Sequence, residues 1–144
     1  MAAGMTAIRG LEDVLKNIER AKVAAVKGAE KGVERARLAV ETTAKKLIQR
    51  GPKTGIMYGK HQASAPGEPP ATDHGDLVRS IESKRDGLVA VVWTEEPYGK
   101  FLEFGTRHIE PRPWLTPAVE NNRERFPLEL GHAVIESIDG AVKK

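Results

Sequence analysis

The chain contains no cysteine, and only two Trp, two Tyr and three Phe among its 144 residues. The first absence removes disulfides, thiolate metal sites and a cysteine nucleophile. Long apolar runs are missing too. No segment approaches the roughly 20 residues that span a membrane, and the opening MAAGMTAIRG lacks the charged region and apolar stretch of a secretory leader. Together these absences lead to the expectation of a soluble protein made and used in the cytoplasm, or in something assembled there. Nor does charge of one sign dominate. The net charge of +3 arises in the first third, where residues 1–50 carry 11 Lys/Arg against 6 Asp/Glu, while the remainder carries 12 against 14. An excess this small describes a solvated helix face more simply than a dedicated acidic-partner surface.

What is present reads as one domain, 1–144, large enough to bury a core. No proline occurs from about Leu11 to Ile48. Apolar residues there recur at Leu11, Val14, Leu15, Ile18, Ala25, Ala29, Val33, Ala36, Val40, Ala44 and Leu47. Gaps mostly of three and four place them on one helical stripe, so 1–50 is read as a long helix. At about 1.5 Å per residue a continuous helix would reach roughly 55 Å, too long for a small domain to enclose. Gly28 and Gly32 mark its expected weak point, each costing about 1 kcal/mol relative to alanine.

Residues 51–76 hold four prolines and five glycines and are expected to form an irregular arm, with Gly51 ending the helix and Pro52 preventing its continuation. Region 77–144 should supply a sheet and helices. Strands are expected at about Val78 to Lys84 and Leu88 to Thr94, joined at the hairpin signal Asp86-Gly87; Leu77 to Ser80 could instead form a helical turn. EEPYGKFLEFGT reads as a short helix closed by Gly105, and RHIEP as a third strand. Helical spacing resumes from Trp114 through Ile138, with a break near Pro127. The fold class is α+β: a long N-terminal helix, a small antiparallel sheet of about three to four strands, a short aromatic helix and a C-terminal helix.

Signals for catalysis are weak. Glu82, Ser83 and Lys84 on a strand, with Asp73 or Asp76 upstream, have the residue types of a metal-dependent nuclease, but the spacing is poor and a solvent-facing hairpin edge explains them better. His61, His74, His108 and His132 are scattered without zinc-ligand spacing. Ser64 lacks the nucleophile-elbow context, and no glycine-rich phosphate loop joins a strand to a helix. Glu95, Glu96, Glu103 and Glu110 surround the aromatic helix, where acids near a helix start suit its dipole. The expectation is no enzyme activity, no cofactor and no metal. Lys45, Lys46, Arg50, Lys53 and Lys60 cluster where helix meets arm, and Lys45, Lys46, Arg50 and Lys53 are candidates to face DNA phosphates. Only Tyr58 could stack on bases there.

Three segments carry a resemblance: HQASAPGEPPATDHGDLVRSI at 61–81, YGKFLEFGT at 98–106 and PRPWLTPAVE at 111–120. In this order they resemble the neck or tail-completion (head-tail joining) proteins of long-tailed double-stranded DNA phages and prophages, a family of tail components. The likeness covers nearly the whole chain. His74 replaces a more usual small polar residue, and Trp114 the commoner phenylalanine. The resemblance implies a structural virion subunit that forms a homo-oligomeric ring at the head-tail junction, assembled in the host cytoplasm, with no enzyme activity or cofactor. Its implied partners are the head connector or head-closure protein, the tail terminator or tail tube protein, and packaged double-stranded DNA passing through the ring, with no membrane. A tail terminator capping the tail tube, or a non-enzymatic DNA-binding protein, is the alternative.

In that frame the arm would reach a neighbouring subunit or ring, making Tyr58, His61, Pro66, Pro69 and Pro70 interface candidates. Four of the seven aromatics, Tyr98, Phe101, Phe104 and Trp114, lie in YGKFLEFGTRHIEPRPWL. Tyr98, Phe101, Leu102 and Trp114 are expected to organise the core between helix, sheet and C-terminal helix, with Gly105 making the turn. Glu103, Arg107 and Arg112, the polar members of the block, are the remaining interface candidates.

Overall fold

The computed structural model describes residues 10–142; residues 1–9, grouped above with the helix, lie outside that range. Helix α1 (Leu11–Arg50) is unbroken over 40 residues, roughly 60 Å at 1.5 Å per residue. Gly10 precedes it at φ 91°, Glu12 and Asp13 complement the dipole in its first turn, and the Gly51 N–H closes it on the Leu47 carbonyl at 2.8 Å. Short strands β1 (Met57–Tyr58) and β2 (His61–Gln62) follow, then α2 (Asp76–Ser80), β3 (Ile81–Asp86), β4 (Val89–Thr94), α3 (Gly99–Phe104), α4 (Leu115–Glu120) and α5 (Arg125–Val142).

The fold is α+β, with its four strands in two separate antiparallel ribbons, β1-β2 and β3-β4. RHIEP is not a strand: the Thr106 N–H bonds the Ile109 carbonyl at 2.7 Å, folding the segment into a tight loop. The main hairpin sits one residue away from its expected register. Asp86 pairs with Val89, so Gly87 and Leu88 form the turn, and Gly87 takes the positive φ of 56° needed at its first position. The expected break near Pro127 is present as the turn at 121–124 between α4 and α5, although Pro127 itself lies just past it. The proline stands in the first turn of α5, where its missing N–H would have no intrahelical partner anyway.

Gly28 and Gly32 need the largest correction. They are buried and α1 runs unbroken through them, because α5 packs across α1 there. A Cβ on Gly28 would lie 2.6 Å from both the Ala133 carbonyl oxygen and the Val134 Cα, and one on Gly32 would lie 2.7 Å from Leu130 Cδ1. Ala24, Gly28 and Gly32 thus form a line of small residues at four-residue spacing that lets the helix backbones touch. The buried line runs one position from the expected Ala25, Ala29 and Val33, which are half-exposed.

The core lies at the other end of α1, where Val40, Ala44 and Ile48 meet Leu77, Val78, Ile81, Trp114 and Ala118. Ile48 and Ile81 are fully buried, each stabilising the fold by about 1.5–3 kcal/mol. The hairpin turns Ile81, Ser83 and Arg85 toward α1. Ser83 Oγ donates to Glu41 and accepts from Arg37, Lys45 pairs with Glu41 at 2.6 Å, and Arg85 reaches Glu34 at 3.5 Å. This half-buried strap fixes the ribbon across the helix.

Candidate subunit interface

The aromatic block is built around a carboxylate. Glu103, on the inner face of α3, is buried. Its Oε2 accepts the N–H groups of Trp114 at 2.7 Å and Leu115 at 2.8 Å, and its Oε1 that of Thr116 at 2.8 Å. One side chain thereby satisfies the free donors that open α4. Burial alone would push the Glu103 carboxyl up, but hydrogen bonding from Thr116 and from the N–H groups of Leu115 and Trp114 outweighs it and holds the group below its ordinary range. A depressed carboxyl contributes stability that is fully present above the ordinary glutamate value of about 4.3 and lost as pH falls through the folded-state value. Thermal midpoints are therefore expected to drop on the acid side of that value. Glu103→Gln should shrink the drop in melts followed by circular dichroism.

Around this carboxylate, Trp114 Nε1 donates to the Gly99 carbonyl at 3.0 Å and the indole is 2% exposed. Gly105 turns the chain at φ 73°, with no room for a Cβ beside the Ile109 carbonyl oxygen at 2.8 Å. Leu102 packs against the core. Tyr98 and Phe101 do not organise it: they are 41% and 44% exposed, and Phe104 is 77% exposed. The reason is geometric. Helix α3 is six residues long, and Gly99 and Glu103, four apart, occupy its inner face, so the aromatic rings project outward.

The arm turns back onto its own chain. Glu68 accepts the N–H groups of Thr54 at 3.1 Å and Ala65 at 2.8 Å, the Gly67 N–H bonds the Pro111 carbonyl at 2.9 Å, and Arg112 Nε donates to the Ser64 carbonyl at 3.2 Å. Four interface candidates thereby become internal: Glu103 caps α4, Arg112 ties the arm to the aromatic block, Pro70 is buried, and Pro69 sits half-buried against Gly51. Tyr58, Pro66 and Arg107 remain exposed, with His61 half-exposed. Tyr58, His61, Pro66 and Pro70 line a groove of about 560 Å³ with Leu102 and Arg112.

The other candidate residues stay dispersed. Glu82 and Lys84 face solvent on the outer side of the hairpin, while Ser83 turns inward. Asp76 pairs with Arg79, and Asp73 lies between His61 at 3.8 Å and His74 at 3.3 Å. Among the described residues no group of three or more His, Asp or Glu is placed to hold a metal ion. Of the basic cluster, Lys45 is engaged by Glu41, Lys53 is half-exposed, and Lys46 and Arg50 are open. No helix is long and apolar enough to cross a membrane among the described residues.

Residues 7–105 match the family described as "Bacteriophage HK97-gp10, putative tail-component". The chain belongs to this family. The match runs from the start of α1 through α3, and so includes Glu103 and Gly105 while α4 and α5 follow it. No curated protein and no solved structure matches the chain. As an HK97-gp10-like chain, the protein has a structural, tail-related role in a phage virion.

That role directs attention to its uncovered apolar surface. Val89 and Val91 on the hairpin, Tyr98 just before α3, Phe101 and Phe104 on it, and Leu11, Val14, Leu15 and Ile18 on α1 are all exposed. Sequence periodicity marked the first four α1 positions as a stripe. Nothing in the sequence distinguished rings facing outward from rings facing the core.

Proposed function

We propose that this HK97-gp10-like chain is a non-enzymatic structural subunit of the phage head-tail junction, assembling as a ring around the DNA path and joining the head connector to the tail. The observation that carries the reading is the apolar surface a tail-component chain leaves uncovered: Tyr98, Phe101 and Phe104 at α3, and Val89 and Val91 on the hairpin. Apolar side chains left open in this number suit protein–protein contacts, and head-to-tail contacts between identical copies close into rings when the rotation permits. The open Lys46 and Arg50 at the end of α1 would face DNA in the channel, attracting it weakly enough to let it slide.

Light scattering on the purified chain, with cryo-electron microscopy of particles, tests this. A closed ring of one size at the neck is the expected result. Phe101→Ala should weaken assembly at least several-fold while changing the stability of the isolated chain by no more than about 0.5 kcal/mol, as for exposed side chains generally. A chain absent from virions, or monomeric at every concentration, would sink the ring. A ring seated only on the tail tube would instead support the tail-terminator reading. Tight duplex binding by a monomer, with a steep salt slope, would support the DNA-binding one.

A further inference from the structure

The two ends of the α1–α5 pair differ in a way that identifies what binds there. Helix α5 runs antiparallel to α1, with Leu130 beside Gly32 and Ala133 and Val134 beside Gly28. Beyond Gly28 the helices border an open groove of about 830 Å³, whose lining includes Val23, Ala24, Gly140 and Ala141. Farther out, α1 continues alone among the described residues. Leu11, Val14, Leu15 and Ile18 occupy spacings i, i+3, i+4 and i+7 and are each about half exposed. One end of the helix thus carries large apolar knobs, and the adjoining segment a groove in which Ala24, Ser137, Gly140 and Ala141 leave room between longer rim side chains.

We propose that the first two turns of α1 dock into the α1–α5 groove of a second copy of this chain. Charge supports the pairing. Of the acids at the groove, Glu136 pairs with Arg35 at 3.5 Å and Glu19 lies 4.0 Å from Lys22. The rim residues Arg20, Lys27 and Lys31 have no carboxylate partner among the described residues. Glu12 and Asp13, in the same first turn of α1, likewise have no cationic partner among them. Residues 11–18 carry two acids against the one base Lys16, and the groove lining three bases against two acids, so tip and groove are of opposite net sign.

These complementary parts cannot meet within one molecule. Both belong to the same continuous helix, and Leu11 stands about 12 Å along it from Glu19, the groove residue nearest in sequence, at 1.5 Å per residue. Each copy offers one tip and one groove, so the contact repeats from copy to copy. This inference rests on the ring reading and specifies the surface through which neighbours would join.

The absence of cysteine allows a direct test. The full chain carrying Leu11→Cys and Ala141→Cys is oxidised and its products are sized; Ala141 stands seven residues past Val134 on antiparallel α5 and so roughly 15 Å along the axis from Leu11, beyond the roughly 7 Å Cα limit for a bridge within one copy. A covalent ladder ending in one closed species is expected. A bridged dimer alone would uphold the docking and overturn the ring. Assembly to ring mass with no bridge between copies would overturn the docking, leave the ring standing and give the groove to another partner. A chain monomeric at all concentrations would overturn both. Glu12→Lys with Asp13→Lys should weaken assembly about tenfold, and adding Lys27→Glu with Lys31→Glu should restore it; failure of that rescue in folded protein counts against the docking.

Discussion

Glu103→Ala is expected to destabilise the chain by about 3 kcal/mol or more, read as a lower urea midpoint at unchanged slope. The estimate follows from what the carboxylate holds. Three backbone N–H groups, of Trp114, Leu115 and Thr116, donate to it within 2.8 Å. Hydrogen bonds to a charged group are worth about 1.5–3 kcal/mol each, and a buried donor left without a partner costs about 1–3 kcal/mol. Loss of an ordinary N-cap alone costs about 1 kcal/mol. Solvent can reach part of α4 after truncation, which keeps the total well below the sum. Glu103→Gln should fall between parent and alanine variant, because its amide nitrogen cannot accept a proton from the donors it then faces. Against a typical total of about 5–15 kcal/mol, the alanine change removes a large share, and the Trp114 indole that anchors α3 to α4 loses its backbone support. An alanine variant as stable as the parent would refute this account of the aromatic block.

Gly28→Ala should lower stability by about 2 kcal/mol, although alanine is the better helix former by about 1 kcal/mol. Two effects oppose each other here, and distance decides between them. The added methyl would sit 2.6 Å from the Ala133 carbonyl oxygen and 2.6 Å from the Val134 Cα. Both are backbone atoms, so no rotamer change relieves the contact and α5 must move as a unit, with overpacking typically costing about 1–3 kcal/mol. Gly131→Ala is the internal control. It also lies in a helix, has nothing within 4 Å of a new Cβ, and should stabilise by about 0.5–1 kcal/mol. Opposite signs for the same chemical change, measured by urea titration, are the expected result; a gain at both positions would show that α5 does not press on Gly28.

The contrast at Gly28 also shows where local sequence stops being informative. A glycine within a long helix carries the same propensity cost whether it faces water or another backbone, so Gly28 and Gly32 read as weak points until α5 is placed against them. Glu103 behaved similarly. Its position on a short helix was legible, as was its membership in an acidic group, yet the donors it satisfies lie 11 to 13 residues away beyond a loop. The arm was legible as irregular from its prolines and glycines. Its inward docking depends on Glu68, the Ser64 carbonyl and Arg112, partners separated in sequence and drawn together only by the fold.

The sequence by itself determined the long proline-free helix, the main hairpin and short aromatic helix to within a few residues, the α+β class and the resemblance to phage tail components. These depend on local spacing, turn chemistry and short motifs, which act over a few residues at a time. Only the tertiary structure decided that Gly28 and Gly32 form a contact line, that Glu103 caps α4 from within, and that Tyr98 and Phe101 face outward while Trp114 is enclosed. Each of those outcomes depends on which surfaces meet across long stretches of chain. Hydrophobicity specifies that a side chain prefers burial, and only packing specifies whether the same chain or a neighbour provides it.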